Sequence, residues 1–293
     1  MIEPPAGSAH PSLRRSWLIM AAKLVVVIAP LAVLVSLVHR MAHLPTPVAQ
    51  DFVEAPAALL SLALFALYTR AFEGRRVDEL LLRPAPRELF AGFGLGILAI
   101  SLTVAVLAAL GRYRIMGHNP WTAALMPLLS AIGAALFEEL LFRGVLFRFA
   151  EDWLGSYWAL ALSALFFGAA HLFNPHATLL AAVAIMIEAA IVLGPAYMLR
   201  RRLWFPIGVH AGWNFAEEGV WGVANSGAKP HGLIQAALHG PAWLTGGEFG
   251  AEASAVGILI GGAIGLLLFR EVLRRGAILT PYWRRKSHRA ATA

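Results

Sequence analysis

The chain contains no cysteine. Without thiols there can be no disulfide framework, no thiolate nucleophile and no thiolate metal site. Charge is also scarce: 14% of the 293 residues are Asp, Glu, Lys or Arg, against 59% that are hydrophobic. Soluble domains carry roughly 25% charged and about 45–50% apolar residues. That shortage excludes a secreted domain, a cytosolic enzyme and a disordered tail. Acidic residues are the rarer sign, and the formal charge is +7. No nucleic-acid partner is expected from it, because no basic stripe is interleaved with aromatics. There is no internal repeat and no low-complexity tract.

Long apolar runs are what the chain has instead. A bilayer crossing needs about 20 apolar residues, and the run 89–110 supplies them without one charge. Eight spans are expected, at 17–38, 53–68, 89–110, 121–147, 157–173, 178–199, 204–223 and 254–269. The fold class is therefore an all-α polytopic transmembrane bundle, a single membrane domain over 1–293 with the lipid bilayer as its surroundings. Pro30, Pro195 and Pro206 are expected to kink or start helices. The first span lacks a nearby small-x-small site and is expected to be retained rather than cleaved.

Orientation follows from the basic residues. With the N-terminus in the cytoplasm, eighteen of the 24 lysines and arginines fall on that side. Four (Arg40, Arg112, Arg114 and Lys229) fall opposite, and Lys23 and Arg143 lie inside spans. Both termini are thus expected to be cytoplasmic, in an integral, multi-pass protein of a bacterial plasma membrane. Soluble pieces are expected at the first dozen residues, at 70–87, at 225–252 and in the basic tail. The segment 72–83 reads as an interfacial amphipathic helix with Val77, Leu80 and Leu81 facing lipid. The segment 233–244 reads as a short re-entrant or surface helix.

Ionisable groups inside spans are costly, roughly 2.5–3.5 kcal/mol each at a helix centre, and here they are unevenly spread. Spans one to three hold only Lys23, close enough to its end to snorkel, and Glu54. Spans four to seven hold Glu138, Glu139, Arg143, His171, Glu188, His210 and Asn214, with Glu217 and Glu218 just after. Glu139 and Arg143 are four apart and can pair on one helix face. Glu138 points about 100° away, has no intrahelical cation, and must look to another helix. A carboxylate in apolar surroundings suits general acid or base work. His210 and Asn214, again four apart, could donate two hydrogen bonds to an oxyanion, and Gly208 and Gly212 on the same helix permit close packing. Depths counted at about 1.5 Å per residue differ by about 12 Å, so convergence of these groups requires tilted helices or a seventh helix that starts below the surface.

These residues resemble the motif set of the CPBP family, the CAAX-protease and bacteriocin-processing intramembrane peptidases. EExxxR reads as Glu138, Glu139 and Arg143, FxxxH as Phe167 and His171, and HxxxN as His210 and Asn214. The motifs occur in family order, and the resemblance covers roughly 120–225 as a peptidase core. It implies peptide-bond hydrolysis of a peptide or membrane-protein substrate, related to the type II CAAX prenyl proteases. By resemblance Glu138 activates water with help from His171, His210 and Asn214 stabilise the oxyanion, and Glu139 and Arg143 form a structural or positioning pair. No cofactor is expected. Zinc is the open alternative, with Glu138, His171 and His210 as a His₂Glu ligand set. A metal-free reaction is preferred, since no HExxH is present and only Glu139 would remain as a base. No serine in a GxSG context and no aspartate inside a span supports another intramembrane protease class.

Other features have no family role. His176, shortly after His171, reads as an accessory group; the glycine-rich loop 246–252 reads as a turn or else as a lid. The chief rival function is a non-catalytic immunity or partner-binding protein on the same fold. A proton-relay transporter is a further rival, but it predicts repeat-related broken helices, and no such symmetry is found.

Overall fold

In lipid, a helix satisfies its own backbone polar groups, so long apolar runs fold as helices. The computed structural model, which describes residues 13–42 and 46–285, is built of helices with one small strand pair. The first dozen residues and the end of the basic tail lie outside the described residues. In chain order come α1 (Leu13–Ala42), α2 (Thr46–Phe72), α3 (Ala85–Ala109), β1 (Tyr113–His118), α4 (Leu125–Glu139), α5 (Arg148–Leu154), α6 (Ser156–Ala170) and α7 (Leu179–Glu188). Next are α8 (Gly194–Arg200), α9 (Trp204–Asn214), β2 (Ile234–Leu238), α10 (Ala242–Thr245) and α11 (Ala255–Arg274). Three π-helical stretches, Leu140–Phe147, Ala189–Leu193 and Phe215–Val220, continue α4, α7 and α9 without a break.

Six helical rods among the described residues are long and apolar enough to cross a membrane: Val53–Phe72, Ala85–Ala109, Trp121–Leu154, Ser156–Phe173, Leu179–Arg200 and Ala255–Arg274. Their outward faces carry large apolar side chains such as Leu67, Phe90, Leu98, Phe166, Leu259 and Leu266, all exposed. The protein is an integral, multi-pass membrane protein. The other two expected spans correspond to α1, whose described apolar stretch Trp17–Pro30 is shorter, and to α9. Helix α9 is different in kind: every residue from Pro206 to Trp213 is buried, so protein rather than lipid surrounds it.

Glycine makes that burial possible. Helix α3 lies against α9 over the largest helix contact in the molecule. A Cβ on Gly92 or Gly96 of α3 would stand 2.3 or 2.1 Å from the carbonyl oxygen of Phe205 or Val209. In return, a Cβ on Gly208 or Gly212 would stand 2.4 or 2.2 Å from that of Leu89 or Phe93. Two GxxxG faces therefore interlock backbone to backbone. The close contact expected of Gly208 and Gly212 is present, and Gly92 and Gly96 are its counterpart.

Three local expectations are corrected. Residues 72–83 form no amphipathic helix; Gly74 takes φ +65° and only a single 3₁₀ turn, Asp78–Leu80, comes after it. Val77 is buried rather than lipid-facing, because Arg75 and Arg148 draw Glu79 inward and the segment goes with it. Lys23 does not snorkel; it is buried against the Phe65 ring and paired with Glu73. Residues 233–244 begin as a strand: β2 pairs antiparallel with β1, Tyr113 opposite Leu238 and His118 opposite Ile234, with an irregularity between Ile115 and Gly117. The Tyr113 hydroxyl donates to the Trp221 carbonyl at 2.8 Å, and Trp221 donates to Ser101 at 2.9 Å. This ribbon covers the end of the bundle opposite the arginine-rich loops.

Candidate active site

Each of the three motifs reaches a point where a regular helix ends. Glu138 and Glu139 close α4, His171 comes directly after α6, and Asn214 closes α9. Glu188 similarly closes α7. After α4, α7 and α9 the backbone widens into π geometry, which recurs at functional sites because it re-aims side chains and carbonyls. After α6 it tightens into one 3₁₀ turn, His171–Phe173.

Glu139 and Arg143 pair as expected, Nη1 donating to Oε1 at 2.8 Å, and both are fully buried. The arginine does more than close that pair. Its Nη2 donates to the Ala189 carbonyl, at the start of the second π stretch, at 3.2 Å. Its guanidinium also lies over the Phe167 ring, 4.8 Å from the centroid. One side chain thus ties the α4, α6 and α7 rods together. The same Glu139 Oε1 lies 3.1 Å from His210 Nδ1, so the N–H there donates to the carboxylate and Nε2 is left for other work. Glu138 finds its partner on another helix, as required: Oε2 is 3.9 Å from His210 Nε2, and the side chain keeps 25% exposure. At His171, Nδ1–H donates to the Phe167 carbonyl at 2.8 Å. In the neutral ring, Nε2 is then an acceptor.

His171, His210 and Asn214 line one partly open cavity of about 40 Å³, room for roughly three water molecules. The three side chains converge there despite the depths counted from helix ends. Glu138 stands beside this cavity, next to His210, and is not part of its wall. Among the described residues, no three His, Asp or Glu side chains are grouped as a metal ion requires. The set Glu138, His171 and His210 does not form one in this arrangement.

The cavity wall also includes Glu188, Ser226 and Glu252, which the motif reading did not reach. Glu252 Oε1 accepts from the Ser226 backbone N–H at 2.6 Å and from its hydroxyl at 2.9 Å. The Glu252 N–H donates to Glu217 Oε1 at 3.0 Å, and Gly227 N–H to the Phe249 carbonyl at 2.7 Å. Gly250, at φ +143°, allows the approach: a Cβ there would sit 2.4 Å from the Ala224 carbonyl oxygen. The loop 246–252 is therefore docked over the cavity and supplies part of its wall. His176 is not accessory to the cavity; it pairs with Glu248 at 3.0 Å on the surface. Glu188 had a signal, a lone acid in an apolar span. Ser226 and Glu252 had none, since only the docked loop brings them in.

Residues 120–216 match the family model described as type II CAAX prenyl endopeptidase Rce1-like. This third of the chain is similar to that family, in line with the resemblance its three motifs carry. The match runs from the start of the α4 rod to just past Asn214 and so contains all three motifs. No curated protein and no solved structure matches the chain. The match supports an intramembrane protease of the CAAX class in general terms, and the long apolar helices suit a bilayer.

Proposed function

We propose that the protein is an intramembrane endopeptidase that hydrolyses a peptide or membrane-protein substrate without a metal. The observation that carries this reading is convergence: His171 after α6 and His210 and Asn214 of α9 meet at one cavity, with Glu138 of the α4 rod beside it. Glu138 takes a proton from water while His171 Nε2, its other nitrogen engaged by Phe167, orients that water. The water oxygen bonds to the scissile carbonyl carbon, and the C=O electron pair moves to oxygen. His210 Nε2–H and the Asn214 amide donate to the resulting oxyanion. Donation from both His210 nitrogens, Nδ1 to Glu139 and Nε2 to the oxyanion, corresponds to the imidazolium form, whose charge Glu138 and Glu139 offset. The C–N bond then breaks, and the proton held by Glu138 passes to the leaving amine. Arg143 takes no part in these transfers; it fixes Glu139, and through it the His210 ring.

The test is a comparison of membrane-protein N-termini in cells carrying the native chain and cells carrying Glu138→Ala at matched levels. The expected result is a set of termini that disappear in the variant. Unchanged termini, with the variant still restoring a deletion phenotype, would sink the peptidase reading and favour an immunity or partner-binding role.

A further inference from the structure

Neither Glu188 nor Glu252 has a place in the reaction just described. Each is more than nine-tenths buried, and both line the cavity that holds His171, His210 and Asn214. Ser226 supplies donors for Glu252 Oε1 at 2.6 and 2.9 Å, but Glu188 Oε1 has no hydrogen-bond partner. Glu217, fully buried behind them, also keeps one oxygen, Oε2, without a partner. The charged groups facing this space are Glu188 from α7, Glu252 from the turn before α11, His171 after α6 and His210 from α9. No lysine or arginine lines it. Arg143 reaches only the Ala189 carbonyl and is committed to Glu139. A carboxylate removed from water is costly unless a cation or a set of donors replaces that water. Among the described residues no cation pairs with Glu188 and no donor bonds its Oε1.

The rest of the wall says what kind of cation would fit. Ile185, Val192 and Leu193 present apolar surface, and Trp213 adds its ring together with a buried Nε1–H that has no partner among the described residues. An apolar sleeve with carboxylates at its end matches a side chain that has a methylene stem and a charged head. A space of about 40 Å³ takes roughly three water-sized groups. That suits an ammonium with its nearest methylenes better than a planar guanidinium.

We propose that Glu188 and Glu252 form a subsite that selects a lysine side chain of the substrate peptide, seated beside the bond that the Glu138-activated water attacks. The proposal rests on the peptidase reading and names the substrate class within it. Its test uses full-length Glu138→Gln protein in nanodiscs and apolar peptides in which one position at a time is Lys, Arg, norleucine or Glu. At one position Lys should bind about tenfold or more tightly than norleucine, the scale of one charge-assisted hydrogen bond. Adding Glu188→Gln or Glu252→Gln should bring that ratio to within about twofold, and Glu188→Lys should turn it toward Glu. Should these variants not fold, Ser226→Ala, which removes one of the two bonds to Glu252, should lower the ratio severalfold. Equal binding of Lys and norleucine at every position, a preference that survives both variants, or no binding of any peptide overturns the proposal. Cleavage by the native protein is scored separately: Lys-selective binding without cleavage keeps the subsite and sinks the peptidase reading.

Discussion

Near the arginine-rich end of the bundle, Lys23, Glu73, Arg75, Glu79 and Arg148 come together, and both carboxylates there meet cations: Glu73 meets Lys23 and Arg75, and Glu79 meets Arg75 and Arg148. Around the cavity, Glu138, Glu188 and Glu217 each keep a buried oxygen without a hydrogen-bond partner and, among the described residues, none of the three pairs with a lysine or arginine. Both groups are inside the protein, so burial alone does not separate them. Satisfaction does. A set of charges that balances itself stabilises one packing of α1, α2 and the α4 rod. A set left short of donors and cations is costly to the fold and is of use only if something else completes it.

The contrast can be broken most directly at Glu138. Glu138→Gln should slow cleavage of an identified substrate by about 10²–10⁴-fold and leave thermal unfolding close to native. A marked loss of stability instead would move Glu138 to the structural side. Arg143→Met should do the reverse and cost about 3–5 kcal/mol in a denaturant titration, because Glu139 would be left buried without its cation. Adding Glu139→Gln should recover part of that loss. Gly212→Ala pushes a methyl into the Phe93 carbonyl and should cost about 1–3 kcal/mol. Gly94→Ala, whose added methyl meets nothing within 4 Å, is the control.

The smallest effect is expected at Glu73. Burial acts to raise its carboxyl, but Lys23 and Arg75 outweigh that and hold it below its ordinary value of 4.5. A carboxyl depressed in the folded state contributes stability that is complete above its unfolded value and is lost as the pH falls through the folded one. The native protein should therefore show a step of acid destabilisation below about pH 4.5 that Glu73→Gln lacks. An identical pH profile in the two proteins would mean that the pairing contributes nothing.

What could be read from the chain alone was whatever depends on short spacing. Glu139 with Arg143, His210 with Asn214, and Gly208 with Gly212 are each four apart, and one helical turn places each pair on one face. Their partners across the bundle could not be read this way. That Glu139 serves His210 as well as Arg143 depends on how α9 is sunk between α3 and α4, and that depth is set by Gly92 and Gly96 on a span with no polar motif to draw notice. Ser226 and Glu252 enter the site only because a loop folds back over it. The strand Ile234–Leu238 was misread for a similar reason: its partner, Tyr113–His118, lies some 120 residues earlier, and Ala236, Ala237 and Leu238 read as helix on their own. Lys23 was expected to reach water because its cation, taken alone, has no better place; Glu73 is that better place.

A π turn holds more residues than an α turn, and each extra residue advances the angular phase of the downstream helix by about 100°. The rod from Trp121 to Leu154 is thus one shaft keyed on either side of its widened stretch. Glu138 and Glu139 are set toward α9 on one side, Arg148 toward Glu79 on the other, and the stretch between them reconciles the two settings. Deleting one residue from 140–147 would slip the shaft by a notch. Either the carboxylates would turn away from His210 or Arg148 would leave Glu79, although no participating side chain had been altered.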